Sequence, residues 1–242
     1  MRTHGLVQSA ADLGIHGHAC WTYDDETDFL RGAAEFLADG VRLGQRLMFV
    51  GPSAPPADLV RDFDLEAATL DEIYVSRDPD YLLGLYGAAT NRALADGFTG
   101  LRIAAEVTSL PSDPALHARW EAIVDRFMAT RPMAALCCYD RRRLSPDVVT
   151  DLCAVHPAAN GGAPFHVYSE PEHLAMDGQV DYFTAAALKR ALAAAGDGRP
   201  LDLSAVAFAD HHALRVLAES GLPVRGISPS MRRLCELTGV AL

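Results

Sequence analysis

The sequence predicts an α/β fold: a mostly parallel sheet with helices on both faces, followed by a smaller α/β unit. Three observations carry this. Strand and helix patterns alternate along nearly the whole chain. The strand candidates are almost continuous apolar runs, as expected of parallel strands buried on both faces. Several helix candidates open on Asp-Pro or Ser-Pro, an N-cap residue followed by proline at the first helical position.

Residues 1–15 have no clear period and are expected to be a loose lead-in. His18–Tyr23 reads as a strand. Asp24 or Asp25 then caps a helix carrying Phe29, Ala33, Phe36 and Leu37, ending at Gly40. Arg46–Gly51 is a second strand, followed by a Pro-rich loop and a short helix near 57–63. Glu72–Ser76 is predicted as the third strand. Asp78-Pro79 opens a helix with Leu82, Leu85, Tyr86, Ala89 and Ala93, closing near Gly97. Leu101–Val107 is a strand. Asp113-Pro114 starts a helix whose apolar face is read as Leu116, Trp120, Ile123, Val124 and Phe127. Met133–Tyr139 is another strand, Ser145-Pro146 opens a helix reaching His156, and Phe165–Tyr168 is a further strand.

The rhythm changes at Ser169-Glu170-Pro171, which divides the chain into units 16–170 and 171–242. In the second unit a strand ends near Val180–Asp181, and a helix bearing Leu188, Ala191, Leu192 and Ala195 ends at Gly196. Leu201, Leu203, Val206 and Phe208 form a buried strand. Asp210 caps a helix with Leu214 and Leu217, and a short strand at 224–227 precedes a helix from Ser228-Pro229. This unit is short for an independent core and is expected to lean on the first.

Composition excludes several classes. Twenty-one Lys+Arg against 32 Asp+Glu give a net charge of −11, unsuited to a nucleic-acid backbone binder. Arg141, Arg142 and Arg143 read as a solvated loop. There is no apolar run long enough to span a bilayer, so no membrane partner and a cytoplasmic location are expected. The cysteines Cys20, Cys137, Cys138, Cys153 and Cys235 are odd in number and lack CxxC pairs, which reads as free thiols. After Gly51 the chain runs PSAPPADLV, with no GxxxxGK[ST], and Lys189 is the single lysine. Prolines lack the N–H groups of a phosphate cradle, so no ATP-binding P-loop is expected, and the cofactor is otherwise undefined.

His18 and Cys20 stand two apart on a strand and therefore face one side. An imidazole beside a thiol suits a polar ligand head or a soft metal, and His16 would extend the set. A hydrogen-bonded core histidine beside a core cysteine is the alternative. Glu106 lies late in an apolar strand, where α/β sheets place ligand sites. Arg102, four residues earlier, would make it a structural ion pair instead. Cys137 and Cys138 must face opposite ways. His156 closes a helix, where the helix dipole alone favours it.

Four segments, HACWTYDD, FLADGVRLGQRLMFVG, GLRIAAEVTSL and CCYDRRRLSPDVVTDLCAVHP, together resemble the MEDS family of sensory domains over about 16–170. The resemblance implies a degenerate RecA-like fold that senses a small molecule, a hydrocarbon derivative by class. It implies ligand contacts from His18, Cys20, Tyr23, Glu106, Cys138 and His156. The stretch PLDLSAVAFADHHALRVLAESG resembles the strand–turn–helix of STAS domains. Antagonist members carry Asp-Ser-Ser or Asp-Ser-Thr where this chain has Asp210, His211 and His212. His212 thus replaces the phosphorylated hydroxyl, while Asp210 and His211 remain as partner-docking residues. The implied partner is an anti-sigma factor or a switch kinase.

The leading expectation is therefore a non-catalytic regulator, with a small-molecule sensor joined to a protein-interaction unit. A metal- or Cys/His-dependent enzyme using His16, His18, Cys20 and Glu106 is the alternative, and a non-catalytic adaptor is the third.

Overall fold

The computed structural model describes residues 2–76 and 78–242. The strands of the first unit are β1 (Gly5–Leu6), β2 (His18–Tyr23), β3 (Arg46–Gly51), β4 (Leu65–Thr69), β5 (Leu101–Glu106), β6 (Met133–Asp140) and β7 (Ala158–Ala159). They form one sheet in the order β1-β7-β2-β6-β5-β3-β4, and every neighbouring pair is parallel. Its helices are α1 (Glu26–Leu43), α2 (Ala57–Asp62), α3 (Leu70–Ile73), α4 (Pro79–Ala95), α5 (Pro114–Met128) and α6 (Pro146–Ala154). Helices α1 and α2 cover one face through Phe29, Phe36, Leu37 and Leu59. Helices α3 to α6 cover the other through Leu70, Tyr86, Val124, Met128 and Leu152.

The second sheet holds β8 (Phe165–Ser169), β9 (Leu174–Val180), β10 (Leu201–Ala209) and β11 (Val224–Arg225), in the order β11-β10-β9-β8. Only the β8–β9 pair is antiparallel. Helices α7 (Ala185–Ala195), α8 (His211–Glu219) and α9 (Pro229–Thr238) complete it. Its core includes Ala118 and Ala122 of α5 and Ala154 of α6. The two sheets thus share the α5/α6 layer, as the short second unit required.

Several expectations are corrected. The strand expected at 72–76 lies instead at β4, and α3 follows it. Thr69 and Glu72 form a reciprocal capping box that turns the chain into that helix. Helix α1 does not end at Gly40 but at Gly44, which is left-handed at φ 69°. Gly40 is small because a Cβ there would meet the Arg102 and Leu47 side chains. The lead-in is not loose: β1 pairs with β7, and Ala10 and Leu13 are buried. Strand β8, placed in the first unit by sequence, pairs within the second sheet. Phe208 is 52% exposed rather than buried, because register shifts in β10 break its alternation on both sides of Val206. On α5, Leu116 is exposed, and the buried stripe is instead His117, Glu121, Val124, Asp125 and Met128.

Arg102 is fully buried on the α1 face. It pairs with Asp39 at 3.2 Å and donates to Gln45 and to the Phe36 and Gly14 carbonyls. Burial pulls its guanidinium down to about 10, against the pull of Asp39. The Arg102–Glu106 ion pair weighed from sequence does not form.

Two outcomes follow from this packing. At Gly32 of α1 a Cβ would stand 2.2 Å from the buried Trp21 indole nitrogen. Helix propensity favours alanine by about 1 kcal/mol, but overpacking costs about 1–3 kcal/mol. Gly32→Ala should therefore lower the urea midpoint, and an unchanged or higher midpoint would refute this packing. The Asp177 carboxylate on β9 accepts from His166 at 2.9 Å and from His4 at 2.6 Å. Burial pushes its pKa up, but His166 and then His4 outweigh that and hold it below the usual range. A depressed pKa contributes stability above the ordinary carboxylate value, about 3.9, which is lost as pH falls through the lower folded value. Wild type should lose stability across that acid window, and Asp177→Asn should flatten the dependence in denaturant titrations from pH 5 to pH 2.

Candidate functional site

Helix α5 begins at the Asp113 cap and runs beneath the sheet, with His117, Glu121 and Asp125 at four-residue spacing on its inner side. Strand β2 presents His18 and Cys20 to the same side, and β6 presents Cys137 and Tyr139. His156 follows the C-terminus of α6. All are buried.

Glu121 is the hub. Its Oε2 lies 3.4 Å from His18 Nε2, 3.5 Å from His156 Nε2 and 3.7 Å from the Cys137 thiol, which donates to it. The Cys137 sulfur is also 3.6 Å from His18 Nε2. The other oxygen, Oε1, accepts from the Tyr139 hydroxyl at 2.8 Å, with His117 Nε2 at 3.1 Å. The His18 and His156 rings meet at a tilt of 43°, with centroids 4.1 Å apart. His18 Nδ1 donates to Asp125 at 3.1 Å, and His156 Nδ1 donates to the Leu152 carbonyl at 2.7 Å. Asp125 also accepts from Arg2 and from the Ser169 amide.

Electrostatics follow from this crowding. Burial would raise the Glu121 carboxyl, but hydrogen bonds from His117 and His18 outweigh it and hold it well below the usual range. Burial pulls His18 down, yet Asp125 and Glu121 raise it above its ordinary value. Burial and the neighbouring His18 charge lower His156 to about 3. Burial and the Glu121 charge push the Cys137 thiol well up.

The residues expected from sequence fall into two groups, one on each face of the sheet. His18, Cys20 and His156 share the α5/α6 face. Cys20 is contacted by the Cys153 thiol at 3.4 Å rather than by His18. His16 turns away, its Nδ1 lying 2.6 Å from the Arg131 carbonyl, so His16, His18 and Cys20 do not converge. Tyr23, Glu106 and Cys138 occupy the α1 face. There Glu106 accepts from the Tyr23 hydroxyl at 3.1 Å and from the Thr108 hydroxyl. Cys137, not Cys138, reaches the histidine pair, because alternation sends Cys138 to the far side with Trp21. In the second unit, Asp210 caps α8 by accepting from the His212 and Ala213 amides. The His211 and His212 rings lie 3.9 Å apart.

Sequence reasoning missed Glu121, Asp125, His117, Cys137 and Arg2. The available signal was the 117/121/125 spacing, which puts three polar groups on one helix stripe.

Beside this group, a cavity of about 530 Å³ opens between α3, α4 and α5, beyond the C-terminal end of β5. Leu70, Leu82, Leu110, Trp120 and Ile123 make it largely apolar. His117, one of its lining residues, bridges it to Glu121 and Tyr139.

Compared with protein families, the chain matches the model described as MEDS, MEthanogen/methylotroph, DcmR Sensory domain, over residues 17–157. No curated protein matches it.

The two hydroxyl–carboxylate contacts should differ in weight. Tyr139→Phe strips a donor from a fully enclosed carboxylate and should cost about 1–3 kcal/mol. Tyr23→Phe should cost less, since Thr108 also serves Glu106 at the sheet edge. Equal losses in chemical denaturation would contradict the assignment of Glu121 as the hub.

Proposed function

The chain belongs to the MEDS sensory-domain family, and on that premise we propose that it is a cytoplasmic signalling protein whose first unit binds a small hydrocarbon derivative. The single observation that carries this is the apolar cavity between α3, α4 and α5, with His117 in its wall. About 530 Å³ lies within the range of small-molecule sites. Its apolar walls suit a short apolar body, and His117, Tyr74, Ser109, Asp71, Asp113 and Arg119 offer polar contacts at its margin.

The same geometry supplies a route outward. Cavity-lining residues Leu116, His117, Trp120 and Ile123 belong to α5, which also carries Asp125, bonded to the Ser169 amide at the end of β8. A ligand that favours one placement of α5 would bias how the second sheet docks, provided it binds two arrangements unequally. The second unit, STAS-like in its strand–Asp210–helix turn, then presents the result to a partner protein such as an anti-sigma factor or switch kinase. Tyr182 and Phe183 are 64% and 86% exposed, and the Tyr182 ring lies beside both His212 and Phe183, an apolar contact surface at the start of α8. No hydroxyl stands at 211 or 212 for a phosphorylation switch, so the relay is conformational.

A catalytic reading has less support. The buried Cys20 and Cys137 thiols are pushed up by burial, the reverse of nucleophile activation. Among the described residues, no helix is long and apolar enough to cross a membrane.

A panel of C1–C4 alcohols, aldehydes and haloalkanes, screened by thermal shift and calorimetry, tests the proposal. At least one should raise the melting temperature of wild type, and Ile123→Trp, which fills the cavity, should abolish that rise. No response across the panel, or an undiminished response in Ile123→Trp, would overturn it.

A further inference from the structure

We propose that His18, Glu121, Cys137 and His156 form a closed, four-ligand site for a divalent zinc-like metal ion in the interior of the first unit. The inference stands apart from the cavity reading and concerns different atoms.

The first argument is distance. Their ligand atoms, His18 Nε2, Glu121 Oε2, Cys137 Sγ and His156 Nε2, all lie within 4.8 Å of one another. Four of the separations are 3.4, 3.5, 3.6 and 3.7 Å. Around a tetrahedral zinc, with bonds of about 2.0–2.3 Å, nitrogen, oxygen and sulfur ligands stand about 3.3–3.7 Å apart.

The second argument is proton placement. His156 Nδ1 faces a carbonyl oxygen, which can only accept, so that nitrogen carries hydrogen. His18 Nδ1 likewise faces the Asp125 carboxylate. Both Nε2 atoms therefore turn toward the centre. His156 Nε2 is buried without a hydrogen-bond partner and has a carboxylate oxygen 3.5 Å away. A nitrogen lone pair aimed at an oxygen lone pair is a poor contact, and a cation between them converts it into two bonds. This carboxylate–histidine and carbonyl–histidine support is how metal-ligating imidazoles are held. Glu121 is braced in the same way, its second oxygen held by Tyr139 and His117.

The third argument is ligand chemistry. One thiolate, two imidazoles and one carboxylate favour zinc over magnesium or calcium. Thiolate and carboxylate together cancel a charge of two, which suits a site with no exposed member. Four protein ligands leave no open position, the mark of a structural rather than catalytic centre. The ligands come from β2, α5, β6 and the residue after α6. Binding would release two protons to solvent, that of the Cys137 thiol and the Nε2 proton that His18 otherwise holds toward Glu121, and the ion would enter as the chain folds.

The test uses the full chain, unfolded with chelator and refolded with Zn²⁺ or Co²⁺. About one metal per chain should survive dialysis, and the cobalt form should show tetrahedral d–d bands with a thiolate charge-transfer band. Cys137→Ser should lose the charge-transfer band and bind cobalt at least tenfold more weakly. Cys138→Ser and Cys20→Ser should keep it. Wild type that folds but retains no metal would overturn the proposal, as would a thiolate band that persists in Cys137→Ser. If Cys137→Ser does not refold, His156→Gln, expected to cut retention at least tenfold, decides in its place, and retention equal to wild type overturns the site. Neither result bears on the alcohol and haloalkane panel, so this site and the cavity can fail separately.

Discussion

The carboxylate of Asp125 is the contact on which the joined structure depends. From α5 it accepts from Arg2 at 2.6 Å, from His18 at 3.1 Å and from the Ser169 amide at 2.7 Å. These donors belong to the N-terminal segment, the interior strand β2 and the end of β8. A carboxylate buried without partners would be prohibitive. Burial does push its pKa up, but Arg2 and His18 outweigh that and bring it down to about 2. The charge is tolerable only while all three elements remain docked. Arg2 reinforces the arrangement by also donating to the Ser169 and His16 carbonyls.

Helix α5 consequently serves two cores and one cavity. Ala118 and Ala122 pack into the second unit, and Val124 and Met128 pack under the first sheet. Leu116, Trp120 and Ile123 face the cavity. The helix is thus held on three sides, while Ala115 and Arg126 face solvent. Small alanines at the second interface allow the helix to approach the second unit closely.

The architecture was legible because buried parallel strands and capped helices leave strong local marks. Asp25, Asp78, Asp113, Ser145, Asp210 and Ser228 all act as N-caps. Elements that depend on pairing were not legible. Strands β1 and β7 are two residues each and exist only because they align with one another and with β2. The Glu72–Ser76 segment has strand-like composition, but the Thr69–Glu72 capping box draws its first two residues into α3. In the candidate site, His18 and His156 could be found as polar residues in apolar settings. Their convergence on Glu121 could not, since it depends on α5 crossing beneath β2 and β6. Strand alternation required that only one of Cys137 and Cys138 face any given site, but it did not say which.

The division of the sheet's two faces also explains why a phosphate group would find no cradle at the C-terminal edge of this parallel sheet. At the C-terminal edge, where such sheets hold phosphate, Glu106 is satisfied by Tyr23 and Thr108. Asp24 and Asp140 add negative charge, countered by Arg141 and Arg142 at the surface. An anion would meet a mouth already acidic and already hydrogen-bonded to itself. The Pro-rich turn after β3 removes the amides that would otherwise receive it. On the opposite face, α5 instead brings histidines and a largely apolar cavity side by side.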